Sequence, residues 1–205
     1  MVDSQELGNV DRLLGQARVA VERSNWALAE DRLRRVVSAR ADAEVVRLLA
    51  QVERELGKFA QAEARLVEAW KAQPDDAVET RRELALELAD LRLATGRPAE
   101  AARALKRLLE VEPNQWEALS LLGNAFLDVG HVKEAVEAYR ESIASNPFEA
   151  ETWWNLAAAL EQTGDSAAVV DALEGWLSVV PEGADVPERD QVKADIARLR
   201  TSRAG

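Results

Sequence analysis

Apolar residues recur along the chain at helical spacing, in paired segments that a glycine separates. In residues 116–149 the first segment has apolar positions at i, i+3, i+7 and i+10, namely Leu119, Leu122, Phe126 and Val129. Gly130 follows, and glycine readily takes the left-handed conformation found at helix ends. A second apolar stripe stops at Asn146-Pro147, because proline has no backbone N–H and disfavours a helical residue before it. The pattern predicts two antiparallel helices.

This two-helix unit repeats in register. Gly96, Gly130 and Gly164 are 34 residues apart, as are Pro113, Pro147 and Pro181. Small residues such as Gly123 and Ala135 stand where paired helices must approach closely. Spacing, glycine, proline and small residues together resemble the tetratricopeptide repeat, a 34-residue helix-turn-helix unit. The resemblance implies an all-α fold, a right-handed α-solenoid with a C-terminal capping helix.

The whole chain, residues 1–205, is predicted to be a single array of five repeats and a cap. The repeats span residues 4–41, 43–76, 77–115, 116–149 and 150–183, and the capping helix spans residues 186–202. The first repeat is divergent and has Ser24-Asn25 at its turn instead of glycine. The third has five extra residues, which we interpret as a longer first helix that begins near Asp75 or Asp76. In the second repeat the stripe of the first helix consists of Val46, Leu49, Ala50 and Glu53.

Composition limits the chemistry available to the chain. It has no cysteine and a single histidine, His131, which makes thiolate chemistry impossible and a histidine-based metal site or triad implausible. It contains neither a glycine-rich phosphate loop nor a nucleophile paired with a base. We therefore predict no enzyme activity, no cofactor and no metal. The polar, acidic start and the lack of a long apolar run make the cytoplasm the default expectation.

Charge is distributed unevenly. The formal net charge is −11, and residues 116–185 alone carry 13 acidic side chains against Lys133 and Arg140. An acidic surface repels phosphates, so nucleic acid is not an expected partner, and neither is a membrane. A basic or apolar segment of a peptide or protein suits this surface better. The first repeat has a basic side, Arg32, Arg34, Arg35 and Arg40, which we interpret as solvated.

The resemblance also implies where a ligand lies. In such arrays the first helices of successive repeats line a concave groove that commonly holds an extended ligand. On this chain the implied peptide-binding positions are Arg47, Gln51, Glu87, Asp90, Ser120, Asn124, Leu127, Asp128, Trp154, Asn155, Ala158 and Glu161. Asn124 and Asn155 match positions whose amides can bind a peptide backbone, although asparagine in these repeats also makes structural hydrogen bonds. The positions that would form a basic clamp for a C-terminal carboxylate are mostly acidic or apolar, so that ligand is rejected.

Tryptophans add one further distinction. Adjacent helical residues point about 100° apart, so Trp153 and Trp154 cannot both be core. Trp153 fits the packing position, and Trp154 fits either an exposed binding anchor or a contact with a neighbouring helix. Three other tryptophans fall on the apolar stripes of second helices and are predicted to be buried: Trp26, Trp70 and Trp176.

Two hypotheses about function remain. The first is a non-catalytic scaffold or adaptor that binds a peptide or helix of a partner protein in the groove of repeats three to five. The second is a structural subunit that self-associates head to tail, with the basic first repeat of one copy against the acidic repeats of the next, which would make a homo-oligomer. The enzyme hypothesis has no motif behind it.

Overall fold

The computed structural model describes residues 4–74, 76–181 and 188–202. These residues form eleven helices and no strand: α1 (Ser4–Glu22), α2 (Trp26–Ala39), α3 (Ala43–Glu55), α4 (Phe59–Ala72), α5 (Val78–Ala94), α6 (Pro98–Val111), α7 (Trp116–Asp128), α8 (Val132–Ser145), α9 (Ala150–Glu161), α10 (Ser166–Val179) and α11 (Glu188–Ser202). Packing divides the chain into an N-terminal unit, Met1–Thr95, and a C-terminal unit, Gly96–Gly205. The division falls between the two helices of the predicted third repeat.

The turns inside the helix pairs share one backbone conformation. Gly57, Gly96, Gly130 and Gly164 all have φ between 71° and 80°. Ser24 has φ 53° at the corresponding turn of the first pair, where a non-glycine residue carries a steric cost of roughly 1 kcal/mol. Asn25 follows it and accepts a hydrogen bond from the Leu28 backbone N–H at 3.3 Å, which caps α2. The prediction that Ser24-Asn25 replaces the glycine turn is confirmed.

α5, the first helix of repeat three, is longer than the first helices of repeats two and four, and it begins at Val78. It has 17 residues, against 13 in α3 and α7. The helix begins within two residues of Asp76, but Asp76 is not its N-cap. The Ala77 backbone N–H bonds to the Pro74 carbonyl at 3.1 Å and closes a turn ahead of Val78. Ala77 is the N-cap and provides no side-chain hydrogen bond. Asp75 lies outside the described residues.

In the N-terminal unit, leucine and valine side chains from α1 to α5 form the core. Leu33, Val36, Leu49 and Val52 are fully buried between α1, α2 and α3, and Leu84 is fully buried against α4. Each such side chain contributes roughly 1.5–3 kcal/mol through burial.

Trp70 is an exception to the predicted pattern of buried tryptophans. It is 37% exposed, so the prediction of a core position is wrong. The Arg81 guanidinium lies 4.5 Å from the Trp70 ring centroid, within the range of a cation–π contact. A charged side chain therefore covers part of the ring where the apolar stripe predicted a core contact.

In the C-terminal unit, aromatic rings fill the places that small residues open. A Cβ on Gly123 would lie 2.5 Å from the Tyr139 ring, so α7 and α8 approach each other only because residue 123 is glycine. Gly175 in α10 admits the Trp153 ring in the same way, and a Cβ there would overlap it. Trp176 is buried, as predicted.

α11 covers the end of the C-terminal unit. Its narrow apolar edge, Val192 and Ile196, is buried against α10. Arg189 donates hydrogen bonds to the carbonyls of Val180 at 2.7 Å and Pro181 at 3.0 Å, which satisfies backbone acceptors just beyond the end of α10. The helix begins at Glu188, and the first two residues of the predicted cap, 186–187, lie outside the described residues.

Candidate protein-binding faces

The predicted site residues divide between the two units. Four of them, Arg47, Gln51, Glu87 and Asp90, lie on α3 and α5 of the N-terminal unit. With Arg54 and Glu83 they make up what we call the α3–α5 face. The other eight lie on α7 and α9 of the C-terminal unit and, with Glu151, make up the α7–α9 face: Ser120, Asn124, Leu127, Asp128, Trp154, Asn155, Ala158 and Glu161.

Ion pairs close the α3–α5 face. The Arg47 guanidinium bridges Glu83 and Glu87 on the neighbouring helix, with Nε 2.5 Å from Glu87 Oε1. Arg54 pairs with Asp90 further along the two helices. Every acidic side chain of this face therefore has a cation from α3 within contact, and the two helices are fastened together across the surface that was predicted to bind a ligand.

Burial affects the charges of this face. Glu87 is partly buried, and the loss of hydration raises the pKa of its carboxyl above the ordinary value, although Arg47 acts in the opposite direction. Burial alone would lower the pKa of Arg47, but the hydrogen bonds and charges of Glu87 and Glu83 raise it. Arg47 and Glu87 therefore form a partly desolvated pair and not a fully hydrated surface contact.

A small cleft lies between α3 and α5. Apolar residues from three helices and polar residues of the face line it: Ala50, Gln51, Arg54, Leu66, Glu87, Asp90 and Leu91. Gln51 is exposed at its rim. Arg54 and Asp90 are already paired beside it, so a charged ligand would have to displace one of them.

Neutral hydrogen bonds join the two helices of the α7–α9 face. Asn124 Oδ1 accepts one bond from Tyr139 Oη at 2.6 Å and another from Asn155 Nδ2 at 3.2 Å. Thr152 Oγ1 donates to Ser120 Oγ at 3.2 Å. Both asparagines therefore make structural hydrogen bonds, which is one of the two alternatives left open above. Asn124 Nδ2 and Asn155 Oδ1 form no hydrogen bond with any described residue.

Trp154 is the exposed aromatic residue of this face. It is 42% exposed, and its ring centroid lies 5.7 Å from that of Trp176, with the planes tilted by 57°. Trp153, one residue earlier, is half-buried against Gly175, and its indole N–H donates to the Pro147 carbonyl at 2.8 Å. One side of the ring packs on α10, so the contact with a neighbouring helix is present. The rest of the ring is open to solvent, and its role as a binding anchor stays a prediction.

Among the residues that the structure describes, no cation pairs with the carboxylates of the α7–α9 face. Asp128, Glu151 and Glu161 are all exposed. Of the described side chains between residues 116 and 173, none takes part in an ion pair of 4 Å or less. Leu127 is half-buried and Ala158 is exposed beside them. The face thus combines open apolar surface with negative charge that nothing in this stretch neutralises.

Tyr139 lies beneath this surface and responds to its charge. Burial raises the pKa of its phenol well above the ordinary value of 10.0, and the carboxylates of Asp128 and Glu151 raise it further. Because the two carboxylates act on the same hydroxyl, the negative potential of the face extends to the hydrogen bond between Tyr139 and Asn124.

A buried ionic network in the N-terminal unit was missed. Glu53 is fully buried and accepts two hydrogen bonds from Arg65, at 2.8 and 3.0 Å. Glu30 is almost buried and pairs with Lys58 at 2.6 Å and Arg34 at 2.7 Å. The sequence signal was Glu53 itself, since a glutamate on an apolar stripe needs a buried cation.

Sequence models of one family match most of the described repeats. Tetratricopeptide repeat models match residues 53–125 and 92–160, and another matches residues 14–77. The chain belongs to the tetratricopeptide repeat family, and its fold is an all-α helical-repeat solenoid. Members of this family are in general non-catalytic modules for protein–protein interaction. No individual curated protein matches the sequence.

Solved structures with this fold share little sequence with the chain. MamA from Desulfovibrio magneticus RS-1 aligns with a TM-score of 0.68 at 15% identity, over 83% of this chain and 94% of that one. A tetratricopeptide repeat protein from Parabacteroides merdae has a TM-score of 0.68 at 16% identity, over 95% and 75%. YrrB, described as having an unusual peptide-binding site, has a TM-score of 0.59 at 13% identity, over 92% and 90%. At such identities the likeness concerns the fold alone.

Two kinds of feature do not occur among the described residues. Nowhere in them do three or more His, Asp or Glu side chains converge in a way that could hold a metal ion. None of the described helices has the length and apolar character that crossing a bilayer requires.

Proposed function

We propose that the chain is a non-catalytic scaffold or adaptor that binds a segment of a partner protein on its α7–α9 face. One observation carries the proposal: Trp154 is exposed beside Asp128, Glu151 and Glu161, which have no cation partner among the described residues. Exposed tryptophans are frequent energetic centres of protein interfaces. Unpaired carboxylates favour a partner that carries lysine or arginine.

Further support comes from the polar groups between these residues. Asn124 and Asn155 bond to each other through one amide atom each, which leaves a donor on Asn124 and an acceptor on Asn155. A peptide backbone presents the complementary groups, one N–H and one C=O per residue. YrrB, which has the same fold, is described as containing a peptide-binding site.

The α3–α5 face is a weaker candidate for the same role. Its acidic groups, Glu83, Glu87 and Asp90, already have arginine partners on α3, so a basic ligand would have to replace existing ion pairs. The proposal therefore narrows the predicted groove to its part in the C-terminal unit.

Selection of peptides from a random display library tests the proposal. Wild-type protein should enrich peptides that combine an apolar residue with lysine or arginine. Trp154→Ala should weaken binding of the selected synthetic peptides by roughly 30-fold, which corresponds to about 2 kcal/mol. The matched control is Phe148→Ala, since Phe148 is an aromatic of the same unit that is 80% exposed and lies outside the face. Peptides that bind both variants equally would overturn the proposal.

Head-to-tail assembly, the alternative function, has less support. It needs free basic side chains in the first repeat, but five of the seven arginines there pair with carboxylates of their own unit: Arg18 with Glu44, Arg32 and Arg35 with Asp31, Arg34 with Glu30, and Arg40 with Asp42. Light scattering at low and high salt separates the two functions. We expect the molar mass in solution to be the same at both salt concentrations. A molar mass that increases at low salt would favour assembly.

A further inference from the structure

The carboxylates of the α7–α9 face lie towards its two ends. Glu151 is in the first turn of α9 and Glu161 is its last residue, so the two are about 15 Å apart along the helix. Trp154 lies between them. The carboxylates are therefore too far apart to bind one cationic side chain together.

α7 reinforces the second of these ends. The hydrogen bonds Thr152–Ser120 and Asn155–Asn124 align α9 with α7 in parallel, at an offset of 32 and 31 residues respectively. With this offset, Asp128 at the end of α7 lies level with residues 159–160, in the last turn of α9, which ends at Glu161. The face thus has one carboxylate at its start, two at its end, and Trp154 with the two asparagines between.

An extended peptide has matching dimensions. Its residues advance by about 3.3 Å each, and alternate side chains point to the same side. Side chains i, i+2 and i+4 therefore face one surface, and i and i+4 are about 13 Å apart. In a helical ligand the same two residues would be only about 6 Å apart. Flexible arginine or lysine side chains can bridge the remaining difference from the roughly 15 Å between the carboxylates.

We infer that the α7–α9 face selects an extended segment with a basic, an apolar and a second basic residue at positions i, i+2 and i+4. The apolar side chain packs on Trp154, one basic side chain pairs with Glu151, and the other pairs with Glu161 and Asp128. The inference rests on the proposed function and adds the spacing and backbone conformation of the ligand.

Four labelled peptides measured by fluorescence anisotropy test the inference. The first contains Arg-Ala-Leu-Ala-Arg, and the second has the same composition with adjacent arginines, Ala-Leu-Ala-Arg-Arg. The third, Arg-Ala-Leu-Pro-Arg, cannot continue a helix and favours extended backbone. The fourth replaces both arginines with glutamate. We expect the first and third to bind about tenfold tighter than the second, and the fourth not to bind.

Two double variants identify the carboxylates involved. Glu151→Gln with Glu161→Gln should remove the preference for spaced arginines and reduce the salt dependence of binding. The matched control is Glu134→Gln with Glu137→Gln, which changes the charge equally at exposed positions of α8. The control should bind like wild type.

Outcomes separate the inference from the proposed function. If all basic peptides bind equally and Trp154→Ala still weakens them, the spacing rule is wrong and the binding function stands. If the proline peptide is the only one of the three arginine peptides that fails to bind, the ligand is helical and the inference is overturned. If Trp154→Ala has no effect on any peptide, both the inference and the proposed function fall.

Discussion

The α3–α5 face and the α7–α9 face are built from equivalent helices, but only the first neutralises its own charge. A glutamate recurs at one position of the first helices, as Glu83 in α5 and Glu151 in α9. Glu83 pairs with Arg47 of α3. The residue of α7 that corresponds to Arg47 is Ser120, and no cation among the described residues pairs with Glu151. Arg47 and Arg54 of α3 thus close one face, and α7 has no basic residue to do the same for α9.

The units as wholes differ in the same way. Residues 1–95 carry 15 basic and 18 acidic side chains, and residues 96–205 carry 11 and 19. The N-terminal unit uses its charges in internal ion pairs, including the buried Glu53. The C-terminal unit is held by aromatic rings against glycines and by neutral hydrogen bonds. One architecture can thus be stabilised by different chemistry, and the carboxylates of the α7–α9 face are left without a cation partner among the described residues.

The largest expected effect comes from breaking the buried ion pair of the N-terminal unit. Glu53→Ala leaves Arg65 without its carboxylate, and removing one partner of a buried pair costs about 3–5 kcal/mol. Urea denaturation of the full chain should show this loss. The double variant Glu53→Leu with Arg65→Met should recover most of it. A loss below about 1 kcal/mol would mean that the pair behaves as a surface contact.

The aromatic packing of the C-terminal unit is tested at Gly175. The new Cβ of Gly175→Ala would overlap the Trp153 ring, and overpacking costs about 1–3 kcal/mol, partly offset by the better helix propensity of alanine. Gly15→Ala in α1 is the control, because no neighbouring atom lies within 4 Å of the position that its Cβ would take. It should stabilise the protein by about 0.5–1 kcal/mol. Equal effects at the two sites would contradict the packing argument.

High pH should destabilise the C-terminal unit through Tyr139. Below pH 10 the phenol is protonated in both the folded and the unfolded chain. Above it the unfolded chain releases the proton first, because the folded-state pKa is raised, so stability falls by about 1.4 kcal/mol per pH unit. Tyr139 is the sole tyrosine, so absorbance at a tyrosinate wavelength reports on it alone. Tyr139→Phe should abolish this pH dependence, and tyrosinate absorbance that appears near pH 10 in the folded protein would refute the assignment.

The smallest expected effect comes from giving the α7–α9 face one ion pair of the kind that closes the α3–α5 face. Ser120→Arg places a cation where Arg47 stands in the N-terminal unit and should pair with Glu151. We expect binding of spaced-arginine peptides to fall about tenfold, with stability changed by no more than about 1 kcal/mol. Ser120→Gln is the uncharged control. Unchanged binding in Ser120→Arg would show that Glu151 takes no part.

Local patterns were sufficient to predict most of the helices. The left-handed glycines and the residues that end each second helix follow from backbone chemistry within a few positions, and the structure has them where the pattern indicates. The N-cap of α5 could not be predicted in this way, because it is Ala77, whose side chain has no acceptor and whose backbone N–H bonds to the Pro74 carbonyl. The prediction that Trp70 is buried was wrong for a different reason. A position on an apolar stripe does not specify which side chain will pack on it, and here that side chain is the charged Arg81.

The sequence predicted which positions lie on the candidate faces, but not which side chains there already have partners within the protein. The repeat pattern placed Arg47, Glu87, Asn124 and Trp154 on the outward sides of first helices. It did not indicate that Arg47 is committed to two glutamates some 40 residues away, or that Asn124 bonds to Tyr139. The contribution of Gly175, which admits the Trp153 ring, was also missed, because glycine inside a helix gives no sign of what packs on it.

The sequence by itself determined the repeat, its helices, its turns and the surplus of acidic residues after residue 116, because helix periodicity and turn chemistry are properties of neighbouring residues. Only the tertiary structure decided which charges are used internally and which stay open. Ion pairs and hydrogen bonds between repeats depend on side chains about 30 to 40 positions apart that meet only after packing. For that reason the sequence shows which charges each repeat carries, but only the folded protein shows that the α3–α5 face is closed by ion pairs and the α7–α9 face is not.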